Sequence, residues 1–126
     1  MSYSYLIDSY AWVEYFKGTA KGKIAKELIE NESCATASLA IAELTEKYKK
    51  ENRDFESDFN FIISQTKIVD LDTEIASEAG KISFENKKKI KNWGMAGSIM
   101  LATARKIGAK VLTGDKHFEN FESAML

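Results

Sequence analysis

Met95-Ala-Gly-Ser-Ile-Met-Leu-Ala-Thr-Ala-Arg-Lys-Ile107 runs into Gly108-Ala-Lys-Val-Leu-Thr-Gly-Asp115, and one kind of structure gives way to another along the way. The first part reads as a helix. Gly108 stands where a helix commonly stops, because glycine tolerates the left-handed backbone just past a helix end. Lys110-Val-Leu-Thr113 is then a short strand, and Gly114-Asp115 puts a carboxylate directly after it.

The same order recurs through the rest of the chain. Tyr5-Leu6-Ile7 is a short apolar run ending at Asp8, a strand followed by a helix cap. Residues 9–16 suit a short helix stopping near Gly18, and Ile24, Leu28 and Ile29 mark a helix over 20–31. Cys34-Ala-Thr-Ala37 reads as a second, fully buried strand of weak propensity. Residues 38–50 form the next helix, with Ile41, Leu44 and Tyr48 at three- and four-residue spacing, and Phe55, Phe59, Ile62 and Ile63 repeat the pattern. Lys67-Ile-Val-Asp-Leu71 is a third strand, followed by a helix over 73–88 carrying Ile75, Ala79 and Ile82. Strands alternating with helices predict an α/β fold, a parallel sheet with helices on both faces. Right-handed crossovers bring every strand's C-terminal end to one edge, and ligands bind there, where the strand order reverses. Asp8 and Asp115 both follow strands directly, so they are expected to meet at that edge.

Composition narrows the chemistry. A chain of 126 residues has room for one well-buried core. With 44% hydrophobic and 29% charged residues it belongs with globular rather than disordered proteins. Cys34 is the single cysteine and His117 the single histidine, which excludes an intrachain disulfide and a Cys/His zinc site. Any metal must rest on carboxylates, and oxygen ligands favour Mg²⁺ or Mn²⁺. The N-terminus has no secretory signal and no apolar run is long enough to span a bilayer, so a cytoplasmic protein without a membrane is expected. A net charge of −1 gives no general attraction for nucleic acid, leaving that task to a local basic patch.

Three acids carry the candidate chemistry: Asp8, Glu43 in the helix after the second strand, and Asp115. Hydrolysis of a phosphodiester needs an activated water and neutralised charge on the transition state, and clustered carboxylates holding divalent ions supply both. Each acid also has a plain structural reading. Asp8 can cap a helix, Glu43 can oppose a helix dipole, and Asp115 can sit in a turn.

Together these residues resemble a family. Leu6-Ile-Asp-Ser9, Ala42-Glu-Leu44, Ile99-Met-Leu-Ala-Thr-Ala-Arg105 and Val111-Leu-Thr-Gly-Asp-Lys-His-Phe118 are similar to the successive motifs of PIN domains, and the chain resembles the stand-alone VapC toxins of toxin–antitoxin pairs. The resemblance implies a three-layer sandwich with a short central parallel sheet of four to five strands, as a single domain over 1–126. It implies a metal-dependent endoribonuclease that hydrolyses RNA with Mg²⁺ or Mn²⁺, Asp8, Glu43 and Asp115 being the metal ligands. Thr113 resembles the hydroxyl that supports the site, and Ser9 either hydrogen-bonds a ligand or caps the helix. It also implies a homodimer and a VapB-like antitoxin partner.

One position departs from the pattern. PIN domains place an aspartate where this chain has Gly97 in Ala96-Gly-Ser-Ile99. Glycine near a helix start costs up to about 1 kcal/mol relative to alanine, so local stability does not explain it. An altered, silenced toxin and a naturally weakened protein are both open. Low activity is expected of the chain as it stands, and an inert PIN module that binds RNA or an antitoxin is the alternative.

Lys81, Lys87, Lys88, Lys89 and Lys91 outnumber Glu85 along 81–91, and Trp93 follows. Lys88, Lys89 and Trp93 are therefore candidate RNA contacts, with Lys116 beside Asp115 as another, although lysines also complement a helix end. Trp12, Tyr15 and Phe16 read as core with a partner groove as the other reading. His117 reads as structural and Cys34 as a small core residue. A phosphoacceptor domain of the response-regulator type is disfavoured, because Asp8 stands alone where an acidic pair is expected, although Asp70 and Asp72 follow the third strand.

Overall fold

The computed structural model describes residues 2–126. Strand β1 (Tyr5–Ile7) leads into helices α1 (Ser9–Lys17) and α2 (Ala20–Asn31). Strand β2 (Cys34–Ala37) is followed by α3 (Ser38–Lys50) and α4 (Glu56–Gln65), and β3 (Lys67–Val69) by α5 (Thr73–Lys87) and α6 (Met95–Ile107). Strand β4 (Lys110–Thr113), a 3-10 turn (Lys116–Phe118) and β5 (Ser123–Met125) complete the chain. The sheet order is β3-β2-β1-β4-β5 and every pairing is parallel. Among the described residues no helix is long and apolar enough to cross a membrane.

Alternation along the strands builds the layers. Successive side chains of a strand point to opposite faces. Leu6 and Val111 accordingly join one buried cluster, with Ile75, Ala79, Met100 and Leu101 of α5 and α6. Their neighbours Ile7 and Leu112 join another, with Trp12, Ile29, Leu44 and Ile62 of the first four helices. Both faces of the sheet are thereby covered, the usual condition of a parallel sheet. The buried Trp12 indole donates to Thr36 Oγ1 at 3.2 Å, and that hydroxyl shares a hydrogen bond with Thr66, so the wet end of the aromatic is satisfied inside the core. Cys34 is buried in the same layer, and burial raises its thiol to about 11, which keeps it an unreactive packing residue.

Gly108 closes α6 at φ 68°, donating its backbone N–H to Ala104 and Arg105, as its place in the sequence predicts. The strand β5 has no counterpart in the sequence pattern. It exists because Val111 N–H donates to the Glu122 carbonyl and Leu126 N–H to the Thr113 carbonyl, which extends the sheet past β4.

Strand order reverses between β1 and β4: the chain runs outward from β1 through β2 to β3, then returns to β4 on the other side. The Asp8 backbone is fixed at this junction, its N–H donating to Leu112 O at 3.1 Å.

Candidate active site

At the C-terminal end of β1, Asp8 becomes the cap of α1, its Oδ1 accepting from Ser9 N–H at 2.8 Å. Its Oδ2 accepts from the Thr113 hydroxyl at 2.7 Å, across the strand junction. Thr113 is itself fully buried, and its Oγ1 accepts from the Asp115 N–H at 3.0 Å. One hydroxyl thus ties the two aspartates that the sequence placed at one edge. The same carboxyl group caps a helix, as one sequence reading has it, and lines the crevice.

Glu43 reaches the site from α3, its Oε1 accepting from the Ser9 hydroxyl at 3.2 Å. Ser9 therefore serves both acids, through its amide to Asp8 and through its side chain to Glu43. Asp115 holds the 3-10 turn, its Oδ1 accepting from His117 N–H at 3.0 Å and lying 2.7 Å from His117 Nδ1. His117 has a structural place here, as a partner of the acid.

The electrostatics are those of anions held together. Asp8 is only 8% exposed. Burial pushes its carboxyl above the ordinary carboxylate range and the charge of Asp115 adds to this, against the downward pull of the Thr113 and Ser9 hydrogen bonds. Glu43 is raised in the same way, first by burial and then by the charge of Asp8.

Asp8, Glu43 and Asp115 line one cavity of about 800 Å³, together with Ser9, Gly97 and Lys116. Gly97 occupies the first turn of α6 and presents a bare α-carbon to this space. A Cβ there would lie 3.5 Å from the Trp93 ring and 3.7 Å from Phe118, ordinary van der Waals contact, so a side chain fits. An acid at that place would also face favourably into the N-terminal end of the α6 dipole.

The donors suit a hard divalent cation in kind, being oxygens of carboxylates supported by hydroxyls. In number they fall short. Among the described residues no three His, Cys, Asp or Glu side chains form a ready metal-binding group. Gly97, on the wall of the same cavity, adds no donor to it.

The basic residues are distributed differently from the sequence expectation. Trp93 is 5% exposed, packed edge-on against Phe118 and tilted against Phe121, with its indole N–H donating to Ser98 Oγ at 2.7 Å. Its ring is committed to the core and has no face for a base. Lys88 lies over the Phe84 ring and near Glu85 at the end of α5, and neither Lys88 nor Lys89 is among the residues lining the acidic cavity. The lysines that do line it are Lys21, Lys47 and Lys116. Lys47 was detectable in principle, one helical turn beyond Glu43 on α3. Lys21 and Tyr10, also on the cavity wall, gave no signal. Trp12 is fully buried, while Tyr15 and Phe16 pack beside it with Phe61 of α4 and are partly covered.

A family model for the PIN domain matches residues 5–123. No curated protein sequence matches the chain. Among solved structures, a toxin–antitoxin complex from Klebsiella pneumoniae superposes with a TM-score of 0.76 at 22% identity, covering 94% of this chain and 92% of that one. VapBC2 from Rickettsia felis, bound to a DNA fragment from its promoter, gives 0.74 at 20% identity, with 97% and 96% covered. VapC20 from Mycobacterium tuberculosis, a toxin that cleaves the sarcin–ricin loop, gives 0.71 at 15% identity, with 98% and 100% covered. At these identities the likeness is one of fold.

Proposed function

This chain belongs to the PIN domain family, and from that membership we propose that it is a VapC-type endoribonuclease dependent on Mg²⁺ or Mn²⁺ and impaired by Gly97. The observation that carries the reading is the gathering of Asp8, Glu43 and Asp115 from β1, α3 and the end of β4 onto one cavity at the strand-order reversal. Structural ion pairs would bring cations to such acids. Here Asp8 and Glu43 are held by hydroxyl and amide donors, and burial first, then a neighbouring acid's charge, pushes the carboxyls of both above their ordinary range.

Asp8, Glu43 and Asp115 would hold the divalent ion, which when bound supplies an activated water and neutralises charge on the phosphate. The protein's own part is preorganisation. Thr113 fixes Asp8 against the Asp115 backbone, Ser9 aligns Asp8 with Glu43, and Lys116 on the cavity wall offers a cation to the RNA backbone. Lys88 and Lys89 are left as outlying contacts for a longer RNA.

The complexes from Klebsiella and Rickettsia support a VapB-like antitoxin as the partner. A homodimer acting in the cytoplasm, with residues 1–126 as its single domain, completes the proposal. Light scattering of the purified chain checks the dimer.

The missing carboxylate gives the test. Gly97→Asp should raise cleavage of a fluorescent single-stranded RNA in manganese by at least about tenfold, the scale on which even supporting residues of metal sites change activity. EDTA should abolish the gain. Equal, EDTA-insensitive cleavage by both forms would overturn the reading. Gly97 also favours a second reading, an inert module that binds RNA or an antitoxin without turnover. That reading predicts binding and no cleavage in either form.

A further inference from the structure

Resting on the RNA reading above, we infer that Tyr10 and Lys21 form a prebuilt clamp for a phosphate of single-stranded RNA on the wall of the acidic cavity, with Lys21 as the binding cation and Tyr10 as its positioning residue.

Two glycines at close approaches make the clamp. A Cβ at Gly114 would collide with the Tyr10 ring, so the ring lies directly against the backbone that precedes Asp115. A Cβ at Gly22 would collide with the Glu14 carbonyl, so the first turn of α2 is packed onto the α1 backbone. Thr19 fixes that turn, its Oγ1 accepting from Gly22 N–H at 3.0 Å and donating to Glu14 at 3.1 Å. The outcome is that Lys21 Nζ donates to the Tyr10 hydroxyl at 3.0 Å and sits 5.4 Å from its ring centroid. A flexible lysine is thereby held in one place beside the acids.

Its charge is uncommitted. Lys47 on the same wall pairs with Glu51 at 2.8 Å, whereas among the described residues Lys21 forms no ion pair with a carboxylate. The hydrogen bond to Tyr10 favours the charged ammonium and raises it above its ordinary value. Tyr10 is 36% exposed and offers part of its ring beside that cation. A cation adjoining an aromatic face is the arrangement by which single strands are held without regard to sequence.

Anisotropy of a fluorescein-labelled single-stranded RNA dodecamer, titrated with the purified chain in EDTA at several KCl concentrations, tests the clamp without turnover. Lys21→Met should weaken binding about 5-fold and reduce the slope of log affinity against log salt by about 0.7, the share of one phosphate contact on a single strand. Lys21→Arg should restore the slope. Tyr10→Phe, which keeps the ring and removes the acceptor, should weaken binding about 2-fold with the slope retained. Lys26→Met, an equal change of charge on the outer face of α2, should change neither, and thermal melting confirms that each variant is folded. An unchanged slope in Lys21→Met, or an equal drop in Lys26→Met, overturns the clamp and leaves the RNA reading standing. Absence of RNA binding by the unaltered chain overturns both.

Discussion

The two ends of helix α6 treat carboxylates in opposite ways. At its C-terminal end Arg105 pairs with Glu122 beside β5, and Lys106 pairs with Asp72, the residue that caps α5 through Ile75 N–H. Those cations hold both carboxyls below their ordinary values, the side-chain hydrogen bond being the main cause in each case. At its N-terminal end, Gly97 faces Asp8, Glu43 and Asp115 with no side chain, and the carboxyls of Asp8 and Glu43 are pushed upward. One end uses acids to fasten α6 to its neighbours. The other leaves Asp8 and Glu43 without an ion-pair partner among the described residues, an arrangement that costs stability and, on the proposed function, suits a cation from solution.

The largest effect expected from this contrast is a separation of activity from stability. In the Gly97→Asp background, Asp8→Asn should lower RNA cleavage by roughly 100-fold or more, because it removes a proposed metal ligand. It should leave the melting temperature equal or higher. Asparagine caps a helix as well as aspartate does, and the buried charge that nothing neutralises is gone. Glu122→Gln at the far end should do the reverse, leaving cleavage alone while lowering the melting temperature slightly. Parallel cleavage assays and melts of the two variants decide it. Loss of fold in Asp8→Asn would make Asp8 a structural residue and erase the contrast.

A smaller effect falls on the residue that joins the two aspartates. Thr113→Ala leaves Asp8 Oδ2 and the Asp115 N–H without their shared partner in a fully buried place. A lost hydrogen bond to a charged group costs about 1.5–3 kcal/mol. Urea denaturation should show that loss with an unchanged slope, and Thr113→Ser, which retains the hydroxyl, should recover most of it. Equal stability of the alanine and serine variants would mean that the hydroxyl is dispensable.

The sequence made part of this legible and hid the rest for definable reasons. Apolar runs ending in Asp8 and Asp115 revealed two strand ends, and the crossover rule brought them together, as the shared Thr113 hydroxyl shows. Gly108 marked the end of α6. Strand β5 was invisible because Ser123-Ala-Met125 has no pattern of its own and gains its form from pairing with β4. The third strand was drawn too long: it ends at Val69, and Leu71 beyond it is exposed. Trp93 was misread because adjacency to lysines in the chain was taken for adjacency in space. Its ring turns inward, to Phe118 and Phe121, which follow β4. Tyr10 and Lys21 were silent because their meeting depends on how closely α1 and α2 approach at Gly22, a tertiary fact that no local pattern encodes.

The smallest effect is on acid stability, where the stapled end of α6 has a definite sign. Asp72 and Glu122 are held below their ordinary values of 3.8 and 4.5 in the folded chain. A carboxylate of lowered pKa binds protons less readily folded than unfolded, so its stabilisation is complete above the unfolded value and is lost as pH falls through the folded one. Both pairs are largely solvated, and the Arg105–Glu122 pair, screened by water, is worth only about 0.5 kcal/mol. Glu122→Gln should therefore melt slightly below the unaltered chain at pH 7, and the two should converge as pH is lowered beneath 4.5. High salt should bring the same convergence at pH 7, since an exposed pair is screened. A gap that survives both treatments would show that Glu122 acts through packing, and the two ends of α6 would then differ in more than charge.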